Sequence, residues 1–174
     1  MNNLLLPSDI QKVLEEIKRP YIVLLIGLPL SGKDTFLKLL NIDHSSIVSR
    51  DAIILEQAQN LSYNDSYRQV SSKLVDKLFY KKLRESAENQ ASVFINITHL
   101  TKKKRAKSIF HFKSTHTIVG IQFPQLSLEE FRKRNQNRLQ SEAKFIAEKV
   151  YLELIDIYEH PTQEEGFDLL CALK

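Results

Sequence analysis

The chain has 174 residues, 43% of them apolar and 26% charged, with a formal net charge of +4. This length suits one domain with a substantial core, and no segment approaches the ~20 consecutive apolar residues of a membrane-spanning helix. One cysteine, Cys171, leaves no internal disulfide and no cysteine-based zinc finger, which fits a reducing, cytoplasmic setting.

In chain order, "MNNLLLPSDI" lacks a basic n-region, so no signal peptide is expected. Residues 7–19 read as an amphipathic helix with Ile10, Val13, Leu14 and Ile17 on one face; Ser8 and Asp9 are the candidate caps, and Pro20 ends it. "YIVLLI" (21–26) is a continuous apolar run, the signature of a strand buried on both faces. "SGKDTFLKLL" opens the next helix. A second strand is predicted over 45–49, a short helix over 52–60, and a longer, interrupted helical region over 64–90. Residues 92–97 and 116–123 read as the third and fourth strands. Residues 101–112, 127–139 and 142–158 read as helices, and 168–173 as a last short strand. Strands alternating with helices predict an α/β three-layer sandwich, with a mostly parallel five-stranded sheet in one domain over 1–174. Ligands of such sheets sit at the carboxyl ends of the strands.

The first strand runs into Gly27-Leu28-Pro29-Leu30-Ser31-Gly32-Lys33-Asp34, which nearly spells the phosphate-binding pattern G-x-x-x-x-G-K-[ST]. Gly27 and Gly32 let the backbone curl so that several N–H groups converge on one polyanion, and Lys33 adds a cation for the terminal phosphates. Asp34 stands where a metal-binding hydroxyl is usual, and Thr35 follows one step later. Mg²⁺ prefers oxygen ligands and keeps several waters, so Asp34 and Thr35 are the candidate metal residues. The alternative is that Asp34 only favours the helix N-terminus.

The other predicted strand ends carry Ser49-Arg50-Asp51, then "NITHLTKKKR" (96–105), then "LSLEEFRKRNQNR" (126–138), with Arg134 and Arg138 on one helical face. "PTQEEGFD" (161–168) closes the set. Asp51 could serve as a helix N-cap or as a base. The basic run 101–107 opposes the macrodipole of its own helix and suits the phosphates of a nucleic acid; a solvated surface is the alternative. The histidines form no zinc-hydrolase pattern.

In that order, these motifs resemble the kinase domain of the 5′-polynucleotide kinases, within the P-loop kinases that also include the zeta toxins, over most of 21–173. The resemblance implies an adenylate-kinase-like P-loop NTPase fold with a lid-like helical region over 124–145, ATP (or GTP) as donor, and Mg²⁺. It implies phosphoryl transfer to a 5′-hydroxyl of RNA or DNA, with Asp51 as general base. Lys33, Arg134 and Arg138 match the phosphate lysine and the lid arginines. Residues 27–35, Arg138, Gly166 and Phe167 match nucleotide-binding positions, and Arg50, Asp51, Thr98 and Arg105 acceptor-side positions. Four residues depart from the pattern: Asp34, Leu30 in place of a loop glycine, Asn96 where an acid is common, and Ile54 where an arginine grips the acceptor phosphate. They keep two alternatives open, a kinase for a small acceptor and a nucleotide-binding regulatory module.

Overall fold

The computed structural model describes residues 4–58, 61–142 and 144–174. Among them, β1 (Leu4–Leu5), β2 (Tyr21–Ile26), β3 (Ile47–Ser49), β4 (Val93–Asn96), β5 (Thr117–Gln122) and β6 (Leu169–Leu173) form one sheet in the order β1-β6-β5-β2-β4-β3. Every neighbouring pair is parallel. Five of these strands are the predicted ones. The sixth, β1, is a two-residue pairing of Leu4–Leu5 with Ala172–Leu173, too short to carry a periodic signal.

β2 sits in the middle because its whole length is apolar: all six residues are buried. Ile22, Leu24 and Ile26 pack on one face with Ile53 and Ile54 of α3 (Arg50–Gln57), with Val75, Phe79 and Leu83 of α5 (Ser72–Glu88), and with Ile109 of α6 (Lys102–Ile109). Tyr21, Val23 and Leu25 pack on the other face with Ile10 and Leu14 of α1 (Pro7–Glu16) and with Phe36 and Leu37 of α2 (Lys33–Leu39). The period of two along a buried strand thus builds both cores. A third cluster, Leu28, Leu100, Phe131 and Tyr151, joins the loop after β2 to α7 (Leu128–Glu142) and α8 (Glu148–Asp156). There the Phe131 and Tyr151 rings stack 3.8 Å apart. From β2 the chain goes to the β3 edge, returns through β4 and crosses over to β5. That reversal opens a crevice at the carboxyl end of β2.

Two local expectations change, and one is met. The N-cap of α1 is Leu6, with Pro7 as the first helical residue; Asp9 reaches back to accept from the Leu6 N–H at 2.9 Å, and Ser8 lies inside the helix. Proline fits this first turn because its missing N–H would have no helical partner. The long helical region is interrupted, as expected, between α4 (Tyr63–Gln69) and α5, by Val70 and Ser71 in extended conformation. α8 starts at Glu148 rather than 142. The Asn135 carboxamide donates to Ile146 O at 2.8 Å and accepts from Ile146 N at 3.1 Å, which pins the approach to α8 in a non-helical form. Residues 59–60 of the predicted helix 52–60, and Ala143 of 142–158, lie outside the described residues.

Candidate nucleotide and acceptor site

The loop between β2 and α2 is tight. A Cβ on Gly27 would fall 2.7 Å from Ser31 Oγ and 2.8 Å from Phe123 Cβ, so only glycine fits. The Gly27 N–H donates to Thr98 O at 3.0 Å, tying the loop to the end of β4. Gly32 caps α2 with φ +101, a left-handed conformation natural to glycine. Leu30 also takes a positive φ of 65. For a residue with a Cβ this costs about 1–2 kcal/mol, and Leu30 is held there by packing against the third core cluster.

Lys33 is half-buried, and its Nζ donates to Gly27 O at 2.9 Å, Leu28 O at 2.7 Å and Ser31 Oγ at 3.3 Å. Burial pulls its pKa down to about 8, against the opposing pull of the Asp34 and Asp51 carboxylates, while Arg138 pushes in the same direction as burial. One lysine therefore feels the loop acid Asp34, the acid Asp51 after β3 and Arg138 of α7 together. All four residues line a single cleft of about 1610 Å³.

Asp51 lies in the first turn of α3, but the capping position belongs to Ser49, whose Oγ accepts from Ala52 N at 3.4 Å. The N-cap alternative for Asp51 is thereby removed. Its carboxylate is exposed and accepts a hydrogen bond from the Tyr67 hydroxyl of α4. The adjacent Arg50 pairs with Asp76 of α5. On the opposite wall, Arg134 donates to Glu130 Oε1 at 2.8 Å and to Leu30 O at 3.0 Å, strapping α7 to the phosphate loop. Arg138, one turn further along the helix, is mostly covered and lies 3.7 Å from Glu142. Pro29, Leu30, Ser31, Gly32, Thr35, Thr98, Arg50 and Arg134 also line the cleft.

Asp34 lines the same cleft, and its Oδ1 accepts from Asn96 Nδ2 at 2.7 Å. The two sequence departures Asp34 and Asn96 are thus one contact. A carboxylate and the hydroxyl of Thr35, next to the phosphate lysine, are hard oxygen donors of the kind Mg²⁺ takes. Among the described residues, no group of three His, Cys, Asp or Glu side chains could hold a metal ion. Any cation here would therefore draw most of its ligands from phosphates and water.

Three expected positions are corrected. Arg105 does not face the cleft: it is fully buried, with Nε and Nη2 on Glu165 at 2.6 and 2.8 Å and Nη1 on His99 O and Glu159 O, each at 2.9 Å. It locks α6 to the C-terminal turn instead of meeting a substrate. Phe167 is buried beneath the sheet, in space kept by Gly120, where a Cβ would come within 2.8 Å of the Phe167 ring. Gly166, at φ +99, makes the turn that delivers Phe167 to this core, and neither residue lines the cleft. Of the basic run, Lys103, Lys104 and Lys107 do line the cleft. The Thr101 hydroxyl and the Glu159 carboxylate accept from the Lys104 and Lys102 N–H groups, offsetting the cations in that first turn.

Tyr67, Asn64 and Arg68 also line the cleft, with nothing in the sequence to single them out. An exposed tyrosine on a polar helix carries no periodic or motif signal, and only the α3–α4 packing brings it to Asp51.

The AAA domain family matches residues 22–161. Among curated proteins, none matches at a significant level. A chain of the Pnkp1/Rnl/Hen1 RNA repair complex superposes with a TM-score of 0.63 at 21% identity, over 82% of this chain and 45% of that one. This chain thus spans less than half of that protein. A presumed kinase from Chloroflexus aurantiacus J-10-fl also gives a TM-score of 0.63, at 15% identity over 90% and 88% of the two chains. Chaetomium thermophilum Kti12, solved with ADP-AlF3, gives 0.58 at 18% identity over 87% and 88%. At these identities the likeness is one of fold. The parallel sheet and phosphate loop agree with it, and the chain belongs to the AAA domain family, with a P-loop fold shared with these three structures.

Proposed function

We propose that the protein is an ATP-dependent phosphotransferase whose acceptor is a 5′-hydroxyl of RNA or DNA. The observation that carries this reading is the shared cleft of Lys33 and Asp51, a cation and an acid close enough for the acid to shift the lysine. The loop amides and Lys33 hold the donor phosphates. The acceptor hydroxyl takes the place of the Tyr67 phenol against Asp51 and gives up its proton to that carboxylate as its oxygen bonds to the γ-phosphorus, while the bond from the γ-phosphorus to the β–γ bridging oxygen breaks and ADP leaves with that oxygen. Arg138, with Arg134 behind it, faces the charge that builds on the transferring group. Mg²⁺, held by Asp34 and Thr35 directly or through water, would supply further neutralisation of the phosphates.

Lys103, Lys104 and Lys107 give the acceptor side a basic wall suited to a polynucleotide. The deciding experiment is transfer of the labelled γ-phosphate from ATP to 5′-hydroxyl DNA and RNA oligonucleotides. Transfer that depends on Asp51 supports the proposal; no label on either polymer rejects the polynucleotide acceptor.

One observation favours a small acceptor. Ile54, at the position of an acceptor-gripping arginine, is buried in the core. A nucleoside, nucleotide, sugar or nucleotide-sugar kinase would then show Asp51-dependent turnover, with acceptor binding little affected by salt.

A further inference from the structure

Asn96 is the last residue of β4 and Asp34 the second residue of α2, 62 positions apart in the chain. A carboxylate only accepts hydrogen bonds, so the Asn96 amide must turn its Nδ2 toward Asp34. The bond fixes Oδ1 at 2.7 Å and restrains the side chain beside Lys33, the ammonium that competes for it. In P-loop NTPases a divalent cation is shared between a hydroxyl after the lysine and an acid on a strand. Here the acid stands on the loop side and the neutral residue on the strand side. The charge count is unchanged, but the two chemistries have exchanged places. An aspartate at 96 in contact with Asp34 would set two like charges against each other, whereas the amide meets the acid without repulsion.

We propose that Asp34 and Asn96 act as one unit toward the cation of a bound metal–nucleotide complex. Asp34 supplies the anionic oxygen, and Asn96 is the positioning residue that aims it. This rests on the nucleotide-binding reading of the loop and goes beyond it by assigning a role to Asn96 and a reason for its amide.

The test is Mn²⁺ affinity, followed by electron paramagnetic resonance, for the protein saturated with a non-hydrolysable ATP analogue. Calorimetry of the same analogue in EDTA runs in parallel. Asn96→Ala is expected to weaken Mn²⁺ binding about 10-fold, the usual lower bound for losing a partner that orients a metal ligand. Its metal-free nucleotide affinity stays within twofold. Asp34→Asn weakens Mn²⁺ at least as much and tightens the metal-free analogue, because an acid beside the phosphates is removed. The double variant Asp34→Asn/Asn96→Asp, which moves the acid across the contact, binds Mn²⁺ more tightly than Asp34→Asn alone. Wild-type Mn²⁺ affinity in Asn96→Ala, or a double variant no tighter than Asp34→Asn, overturns the pairing while the nucleotide reading stands. No analogue binding with or without Mn²⁺ overturns both.

Discussion

Arg105 and Glu165 form a buried fork: guanidinium Nε and Nη2 meet the two carboxylate oxygens at 2.6 and 2.8 Å, with the arginine wholly covered. The remaining Nη1 bonds to two backbone carbonyls, so the charge is both paired and hydrogen-bonded, the condition under which burial is tolerated. Burial works to raise the Glu165 pKa, but the bonds from Arg105 and Thr162 outweigh it, leaving the carboxyl below its ordinary value. The pair fastens α6 and so holds Lys103, Lys104 and Lys107 at the cleft.

Removing one partner strands the other. Arg105→Ala is expected to lower stability by about 3–5 kcal/mol, whereas Lys104→Ala, an exposed neighbour, changes it by less than about 0.5 kcal/mol. Urea unfolding followed by circular dichroism measures both. Equal, small effects would mean that the buried fork contributes nothing.

His99 predicts an acid-sensitive fold. It is fully buried, with one ring nitrogen on Leu25 O and the other on Ser108 Oγ, each at 3.0 Å. Desolvation pulls its pKa down to about 3, only partly offset by the Leu25 bond. The unfolded chain takes up a proton near pH 6.5 that the native state refuses. Stability is therefore complete above about 6.5 and falls as pH drops toward 3. This one group costs about 2 kcal/mol between pH 7.5 and 5. Glu165, with its lowered pKa, adds a loss in the same direction at lower pH. Denaturation curves for the wild type and His99→Gln at the two pH values isolate the histidine: the variant should lose about 2 kcal/mol less over that interval.

Lys33 sets an alkaline limit on nucleotide binding. With its pKa near 8, the free protein begins to lose the ammonium just above neutrality, and a bound polyanion must restore it. ATP affinity in EDTA should fall by up to tenfold per pH unit above about 8. Calorimetry in Lys33→Met should give weak affinity with no such slope. A wild-type affinity flat from pH 7 to 9.5 would show that the ammonium does not meet the phosphates.

The proposed base is separable from donor binding. Asp51→Asn is expected to reduce phosphoryl transfer about 10²–10⁴-fold while ATP affinity stays within about twofold. Tyr67→Phe removes the phenol that occupies Asp51. It should lower the acceptor KM and leave kcat within a few-fold. Steady-state kinetics with labelled ATP separate the two effects.

The strands were legible because each is a short apolar run bounded by breakers, and the phosphate loop because its glycines and lysine have one geometric purpose. The late start of α8 was not legible, since an asparagine from α7 pairs with Ile146 and overrides the local helical pattern. The basic run read as one patch, yet helical rotation turns Arg105 inward while Lys103, Lys104 and Lys107 face the cleft. Phe167 was ambiguous because an aromatic after glycine serves a ligand or a core equally well, until Gly120 is seen to leave it room.

The sequence by itself determined the order of strands and helices, the loop that can wrap a polyanion, and the acids and arginines that follow the strands. These depend on local periodicity and on residues adjacent in the chain. Only the tertiary structure decided that Tyr67 rests on Asp51, that Asn96 holds Asp34, and that Arg105 is an anchor rather than a contact. Such pairings join residues 16 to 62 positions apart. Which side chains meet across those gaps is set by the packing of helices against the sheet, a property no local pattern encodes.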